Sequence, residues 1–391
     1  MTDLLADANV ALGVSGSIAA VKTVELVHEL RRRGASVRAV TTEASRGIVH
    51  PWALEFATGS DVVTEITGAV EHVELCGTDG WADVLLLAPA TANTVGKVAA
   101  AVDDTPVTTC ATTALGAGVP VVVAPAMHEP MYDHPGVLEA IERVESWGVE
   151  FVEPRVEEGK AKIAGEEAIV TATARAARSG EDRPLAGRRV VVTAGATSEP
   201  VDPIRVLTNR ASGRTGRAVA RACHVLGADV TLLHDGGEVP YADVVSVGTA
   251  AEMTDAALEA CADADALVSA AAVSDYTVEP AAEKIRSGEE SLTLELRPTP
   301  KLVDAVREAR PDLAIVGFKA ETDGDDEAMA EEARELLGRV GLSFVVANDA
   351  SVMGGETTRA LFVRETDLAE YEGTKHGLGV RVATELSGEL G

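Results

Sequence analysis

The feature that most constrains this chain is an alternation of short, wholly apolar runs with longer amphipathic stretches. NVALGV, DVLLLAPA and VPVVVAPA are apolar along their length, and IAAVKTVELVHELRRRG carries its apolar residues at helical spacing before stopping at Gly34. Strands apolar on both faces must be covered on both faces, which predicts parallel sheets flanked by helices. Right-handed crossovers then give a doubly wound α/β fold. Around Ala177 the pattern breaks into ARSGEDRPLAGRR, charged and without periodicity, and a new strand and glycine turn begin at RRVVVTAGAT. A chain of 391 residues is too long for one ordinary core. The expectation is two doubly wound Rossmann-like domains with mainly parallel sheets, 1–177 and 189–391, joined by a linker at 178–188.

The charge balance narrows the partners. With 34 Lys plus Arg against 63 Asp plus Glu, the formal net charge is -29. Such a surface repels nucleic acid and anionic membrane. It also repels itself at low ionic strength, which points to a halophilic, salt-screened protein. Cys76, Cys110, Cys223 and Cys261 show no CxxC spacing, against a zinc site or a disulfide framework. The opening MTDLLADANVALG has the wrong charge for a secretory signal, and no apolar run could span a bilayer. A cytoplasmic protein is expected.

In open parallel sheets ligands bind beyond the carboxyl ends of the strands. In the first half those positions are Ser15-Gly16-Ser17, Thr42-Glu43, Pro89-Ala90-Thr91-Ala92-Asn93 and Pro125-Ala126-Met127-His128. Ser15, Gly16 and Ser17 precede a helix, where they could hold a phosphate or simply cap it. GVSGSIA is not a full GxGxxG. His72, in EHVELC, reads equally as a functional group or as a surface or cap histidine. His128, Glu129 and His134 lack the helical spacing of a metal site. In the second half, TAGAT and TNRASGRTG combine small residues with Arg205, Asn209, Arg210 and Arg214, the makings of an anion-binding loop. Lys284 stands in a polar stretch where a solvated charge is the ordinary reading. The residues alone thus give an α/β protein with two anion-binding halves.

Taken together and in order, the motifs resemble a known family. GVSGSIAAVKTVEL, HVEL before WADVLLLAPATANT, and PAMHEPMY resemble the flavin-binding cysteine decarboxylases. AGATSEPVDPIRVLTNRASGRTG, AAVSDY, EKIR and VGFKAET resemble phosphopantothenate–cysteine ligases. The order is that of the bifunctional flavoproteins of coenzyme A biosynthesis, and the likeness runs over nearly the whole chain.

That resemblance implies FMN in the first domain, with Ser15, Gly16, Ser17 and Thr42 at its phosphate and ribityl chain and Ala90, Thr91 and Asn93 beside flavin and substrate. A flavin is needed because the departing carboxylate has no adjacent electron sink. Oxidising the substrate thiol to a thioaldehyde makes one, and the hydride is returned after carbon dioxide leaves. His72 matches the family's acid–base histidine. Met127 and His128 match its substrate-binding segment, with His128 where the family has asparagine. The family cysteine that protonates the enethiol is missing from EEGKAKIAGEEA, which leaves Lys160 or Lys162 as replacement donor.

For the second domain the resemblance implies activation of phosphopantothenate by a nucleoside triphosphate, CTP rather than ATP, with Mg2+, followed by attack of the cysteine amine. Asn209 and Lys284 would meet the charge on the acyl phosphate. Arg205, Ala271 and Ala272 would hold phosphopantothenate, and Asp275, Phe318 and the turn Pro300-Lys301-Leu302-Val303 would hold the nucleotide. The family KIKK is Lys284-Ile285-Arg286-Ser287 here, and the lysines expected before VVAND are absent. Lys319, Arg334 and Arg339 are the nearby cations for that role. The resemblance also implies a homo-oligomer: a trimeric decarboxylase core and a dimeric ligase, combined as a dodecamer. Two rivals stand beside it. One is a flavin-fold regulatory subunit without catalysis. The other is a nicotinamide oxidoreductase, favoured by Glu43 after the second strand but not by the incomplete glycine fingerprint.

Overall fold

The computed structural model describes residues 3–157, 160–178, 182–286, 291–321, 326–349 and 357–391. The chain divides into two compact units, Asp3–Asp182 and Arg183–Gly391. Each has its own apolar core. Residues 179–181 of the expected linker lie outside the described residues. On either side of them Arg178 donates to Leu4 O, and the Leu185 amide donates to Leu226 O, so each flank belongs to its own unit.

In the first unit the main strands are β1 Asn9–Val14, β2 Ser36–Thr41, β3 Val84–Ala90 and β4 Val121–Pro125. Short strands follow: β5 Met127–His128, β6 Glu150–Phe151, β7 Arg155–Glu157 and β8 Lys160–Lys162. The sheet order is β2-β1-β3-β4-β6, parallel throughout. All seven residues of β3 are buried, as a central strand covered on both faces requires. The helices are α1 Thr23–Arg32, α2 Glu43–Arg46, α3 Pro51–Thr58, α4 Glu71–Cys76, α5 Ala92–Ala99 and α6 Pro106–Ala117. After them come α7 Glu129–Tyr132, α8 Pro135–Glu145 and α9 Glu166–Ala176. Local chemistry sets their ends. In α6, Thr105 and Thr108 form a capping box, Pro106 opens the first turn, and Gly118 closes the helix in the left-handed conformation.

The second unit contains β9 Arg189–Thr193, β10 Ser198–Pro200, β11 Val206–Thr208, α10 Arg214–Val225, β12 Asp229–His234 and β13 Asp243–Ser246. Next are α11 Ala250–Ala260, β14 Ala266–Ser269, β15 Tyr276–Val278, β16 Leu296–Pro298, α12 Leu302–Ala309 and β17 Ala314–Glu321. It ends with α13 Asp326–Val340, β18 Phe344–Asp349, β19 Thr357–Val363, β20 Leu368–Thr374 and α14 Lys375–Glu389. The sheet order is β13-β12-β9-β14-β17-β18-β19-β20. It is parallel as far as β18, and then β19 and β20 form an antiparallel hairpin at the edge. β20 therefore runs in the direction of β9, and α10 and α14 both begin at the carboxyl edge of the sheet.

Both sheets are doubly wound. Strand order reverses between β1 and β3 in the first unit and between β9 and β14 in the second. Loops leaving adjacent strands part in opposite directions at such a point and open a crevice at the carboxyl edge. Among the described residues no helix is long and apolar enough to cross a membrane.

Candidate functional site

The first crevice is held together by Ser15. Its side chain is buried, and both its amide and its Oγ donate to Pro89 O, at 3.2 and 2.7 Å, while Oγ accepts from Thr91 N at 3.0 Å. Ser15 thus staples the ends of β1 and β3 rather than offering a free hydroxyl. Ser17 Oγ donates to Ala126 O at 3.1 Å, bringing in the end of β4. Thr42 N donates to Val14 O at 3.1 Å, and its Oγ1 caps α2 by accepting from Ser45 N. Gly16 is required by close approach: a Cβ there would lie 2.5 Å from Ala44 Cβ. Thr91 caps α5, with exposed Asn93 in its first turn, and Ala90 O accepts from Ala126 N. The structure therefore gathers Ser15, Gly16, Ser17, Thr42, Ala90, Thr91 and Asn93 on one rim. The Gly16 and Ile18 amides there have no hydrogen-bond partner among the described residues. Two unpaired N–H groups beside hydroxyls suit a phosphate.

His72 lies in the first turn of α4. Its Nδ1 is buried and has no hydrogen-bond partner among the described residues. A buried ring nitrogen left unpaired costs roughly 1–3 kcal/mol. α4 packs on α6, where Cys76 and Cys110 meet. The hydrogen bond between them, reinforced by burial, pushes the Cys110 thiol well above its ordinary range, so it stays protonated.

The segment carrying Met127 and His128 forms β5, which pairs antiparallel with β8: Met127 opposite Ala161 and His128 opposite Lys160. β8 pairs in turn with β7. β7 and β8, which flank the stretch where the resemblance leaves Lys160 or Lys162 as donor, thus join the segment carrying Met127 and His128 in one small sheet. His134 caps α8, its Nδ1 accepting from Gly136 N at 3.1 Å.

In the second unit, Thr193 Oγ1 accepts from the amides of Ala270 and Ala271, and Ala272 N donates to Gly195 O at 2.8 Å. Asn209 reaches this point: Nδ2 donates to Ala272 O at 2.6 Å, while Oδ1 accepts from Ala211 N. Gly213, with φ of 70°, turns the chain into α10 without a side-chain cap. A cleft of about 150 Å³ opens there, lined by Gly213, Arg214, Ala271, Ala272, Phe318 and Lys375 among others. Of the expected residues, Ala271, Ala272 and Phe318 line it, and Asn209 borders it.

Others are committed elsewhere. Arg205 pairs with the Asp202 carboxylate at 2.8 Å and donates through both Nη atoms to Ile285 O at 3.1 Å. Asp202 also accepts from the amides of Ile204, Arg205 and Ile285. Burial pushes its carboxyl up, but these donors and the guanidinium win and hold it below the usual range. Asp202, which the motifs did not single out, thus fixes Ile285 beside the exposed Lys284; Ser287 lies outside the described residues. Asp275 and Lys301 form an ion pair with each other. Leu302 is buried in the core and Val303 packs against it, which leaves the backbone of the Pro300-Lys301-Leu302-Val303 turn as the part that could face a ligand. A helix that opens on an apolar pair turns it inward, because burying it is worth a few kcal/mol. Lys319 pairs with Glu332 and Arg339 with Asp304, while Arg334 is exposed on α13.

The fold and its two crevices define a class: a flavoprotein domain followed by a second nucleotide-type α/β domain. Residues 2–178 match the family model described as Flavoprotein, and residues 185–388 match the DNA/pantothenate metabolism flavoprotein C-terminal domain. The chain is 49% identical over 360 residues to the coenzyme A biosynthesis bifunctional protein CoaBC of Thermococcus kodakarensis, covering 90% of this chain and 88% of that one. It is 34% identical over 388 residues to the protein of that name from Methanocaldococcus jannaschii, covering 98% and 94%. With the Bacillus subtilis protein it shares 33% over 406 residues, covering 99% and 96%. The chain belongs to the family of coenzyme A biosynthesis bifunctional proteins, CoaBC.

Proposed function

We propose that the second unit joins 4'-phosphopantothenate to cysteine at the expense of CTP with Mg2+, and that the first unit decarboxylates the resulting 4'-phosphopantothenoylcysteine to 4'-phosphopantetheine with FMN, in the cytoplasm. The observation that carries the reading is the hydrogen bond from Asn209 to Ala272 O, which joins the anion-binding loop to the crevice where strand order reverses.

In the ligase unit the phosphopantothenate carboxylate attacks the α-phosphorus of CTP and releases pyrophosphate. The cysteine amine then attacks the acyl carbon and releases CMP. Asn209, with one amide hydrogen on Ala272 O, has the other to give to the acyl phosphate. Lys284 supplies the mobile cation for the same charge, on a loop tethered by Asp202. Fixed donors of this kind lower the barrier because they need no reorganisation as charge develops.

In the decarboxylase unit the Gly16 and Ile18 amides, with Ser17 and Thr42, would hold the FMN phosphate. FMN, when bound, supplies the reversible hydride chemistry that makes the electron sink. His72 moves a proton at the substrate thiol. His128 donates to the substrate carboxylate from β5, and Lys162 on the facing β8 protonates the enethiol carbon. Exposed Ile18, Trp52 and Phe56, at 76%, 74% and 81%, support a homo-oligomer built through the flavin unit.

A coupled assay with phosphopantothenate, cysteine, Mg2+ and CTP or ATP, read by mass, tests this. Phosphopantetheine as product supports both halves. Accumulation of phosphopantothenoylcysteine retains the ligase alone. Normal phosphopantetheine formation by Lys162→Ala removes Lys162 as proton donor.

A further inference from the structure

The expected phosphate-binding cations before β18 are absent, and Lys319 and Arg339 are paired with carboxylates. A different cation faces the cleft. Lys375 opens α14, and Arg214 opens α10 across the same cleft. Neither helix has an acidic residue in its first turn. A basic side chain at the positive end of a helix is unfavourable unless an anion answers it. Lys375 stands at such an end, with Arg214 across the crevice.

The setting sharpens the point. In a chain with 63 acidic residues, none of the described residues lining this cleft is acidic. No carboxylate pairs with Lys375 among the described residues. Burial, with Arg214 close by, also lowers the pKa of the Lys375 ammonium. A polyanion in the cleft would answer the charge of Lys375 and offset its repulsion by Arg214. Local rules broken together at one place mark a ligand site rather than a packing accident.

We propose that Lys375 is a ligand of the nucleotide's phosphate chain, gripping it opposite Arg214 and the uncapped first turn of α10. This rests on the ligase reading above and adds to it the residue that replaces the missing lysines. The C-terminal hairpin β19–β20 and α14 then belong to the nucleotide site, and not only to the sheet edge.

The test uses the full chain and its Lys375→Ala, Lys375→Gln and Lys375→Arg variants, assayed for CTP-dependent pyrophosphate release. Losing a charge-assisted contact corresponds to a rise in KM for CTP of about tenfold or more. The expected result is that rise in Lys375→Ala and Lys375→Gln, with KM for phosphopantothenate and cysteine changed less than about twofold and with recovery in Lys375→Arg. Inorganic tripolyphosphate should raise the unfolding temperature of the wild-type chain but not that of Lys375→Ala. An unchanged KM for CTP in Lys375→Ala, with normal release by the wild type, overturns this proposal alone. No release by the wild type with CTP or ATP overturns the ligase reading and this proposal with it.

Discussion

Where α14 lies against α10, the two helices touch at backbone level through Gly379, and Gly379→Ala measures how tightly. A Cβ at Gly379 would lie 2.5 Å from both the carbonyl carbon and the oxygen of Ala218 and 2.9 Å from Val219 N. Comfortable contact is about 3.5 Å, and backbone atoms cannot rotate aside, so the helices must part by roughly 1 Å. Overpacking of this kind costs about 1–3 kcal/mol. Replacing glycine within a helix returns about 1 kcal/mol. The net expectation is a loss of up to roughly 2 kcal/mol, at about 2–4 °C per kcal/mol in the unfolding temperature of the second unit. Gly388, in the same helix, has nothing within 4 Å of its would-be Cβ, so Gly388→Ala should be neutral or slightly stabilising. Differential scanning calorimetry of both variants beside wild type decides the matter. Gly379→Ala as stable as Gly388→Ala would refute the argument that backbone contact sets the approach of these helices. Because Lys375 stands one turn before Gly379, the same variant should also weaken nucleotide binding.

Other outcomes follow from the same geometry. His72→Ala should abolish decarboxylation while pyrophosphate release by the ligase continues, so phosphopantothenoylcysteine should accumulate; phosphopantetheine at the wild-type rate would exclude His72. For His234, burial and then Arg217 lower the pKa, so the folded unit favours the neutral ring. Its stabilisation is complete above the unfolded value of about 6.5 and is lost as pH falls through the lower folded value. Urea midpoints of the second unit should drop across that window, and His234→Asn, which keeps an acceptor for Gly236 N, should flatten the drop. Finally, raising potassium chloride from about 0.1 to 1 M shortens the screening length from roughly 10 to 3 Å. With a net charge of -29 the melting temperature should rise, and indifference to salt would remove the halophilic reading.

Much of the first crevice was legible in the sequence, because the residues that follow buried strands must sit at the carboxyl edge once the sheet is parallel. Ser15, Gly16, Thr42 and Thr91 follow directly from that rule. What the rule does not give is what each does there. Ser15, expected at the flavin, also staples β1 to β3, since its hydroxyl is buried against Pro89 O. Asp202 carries no motif that could have marked it, apart from its place between two prolines in EPVDPIR. Lys375 left one faint signal, a lysine directly after a capping threonine, where a helix start favours an acid.

The sequence by itself determined the two α/β units, the family, and the strand ends at which ligands gather. Those depend on local periodicity and on motifs a few residues long, and both survive in a one-dimensional reading. Only the tertiary structure decided which side chains are available at those ends. Exposed Arg205 pairs with Asp202 and Ile285, Leu302 turns into the core, and Lys319 turns to Glu332. It also brought Lys375 from the last helix across to Arg214, because β20 returns in the direction of β9 and starts α14 at the same edge as α10. Such meetings depend on sheet order and strand direction, which link residues far apart in the chain and leave no periodic trace in it.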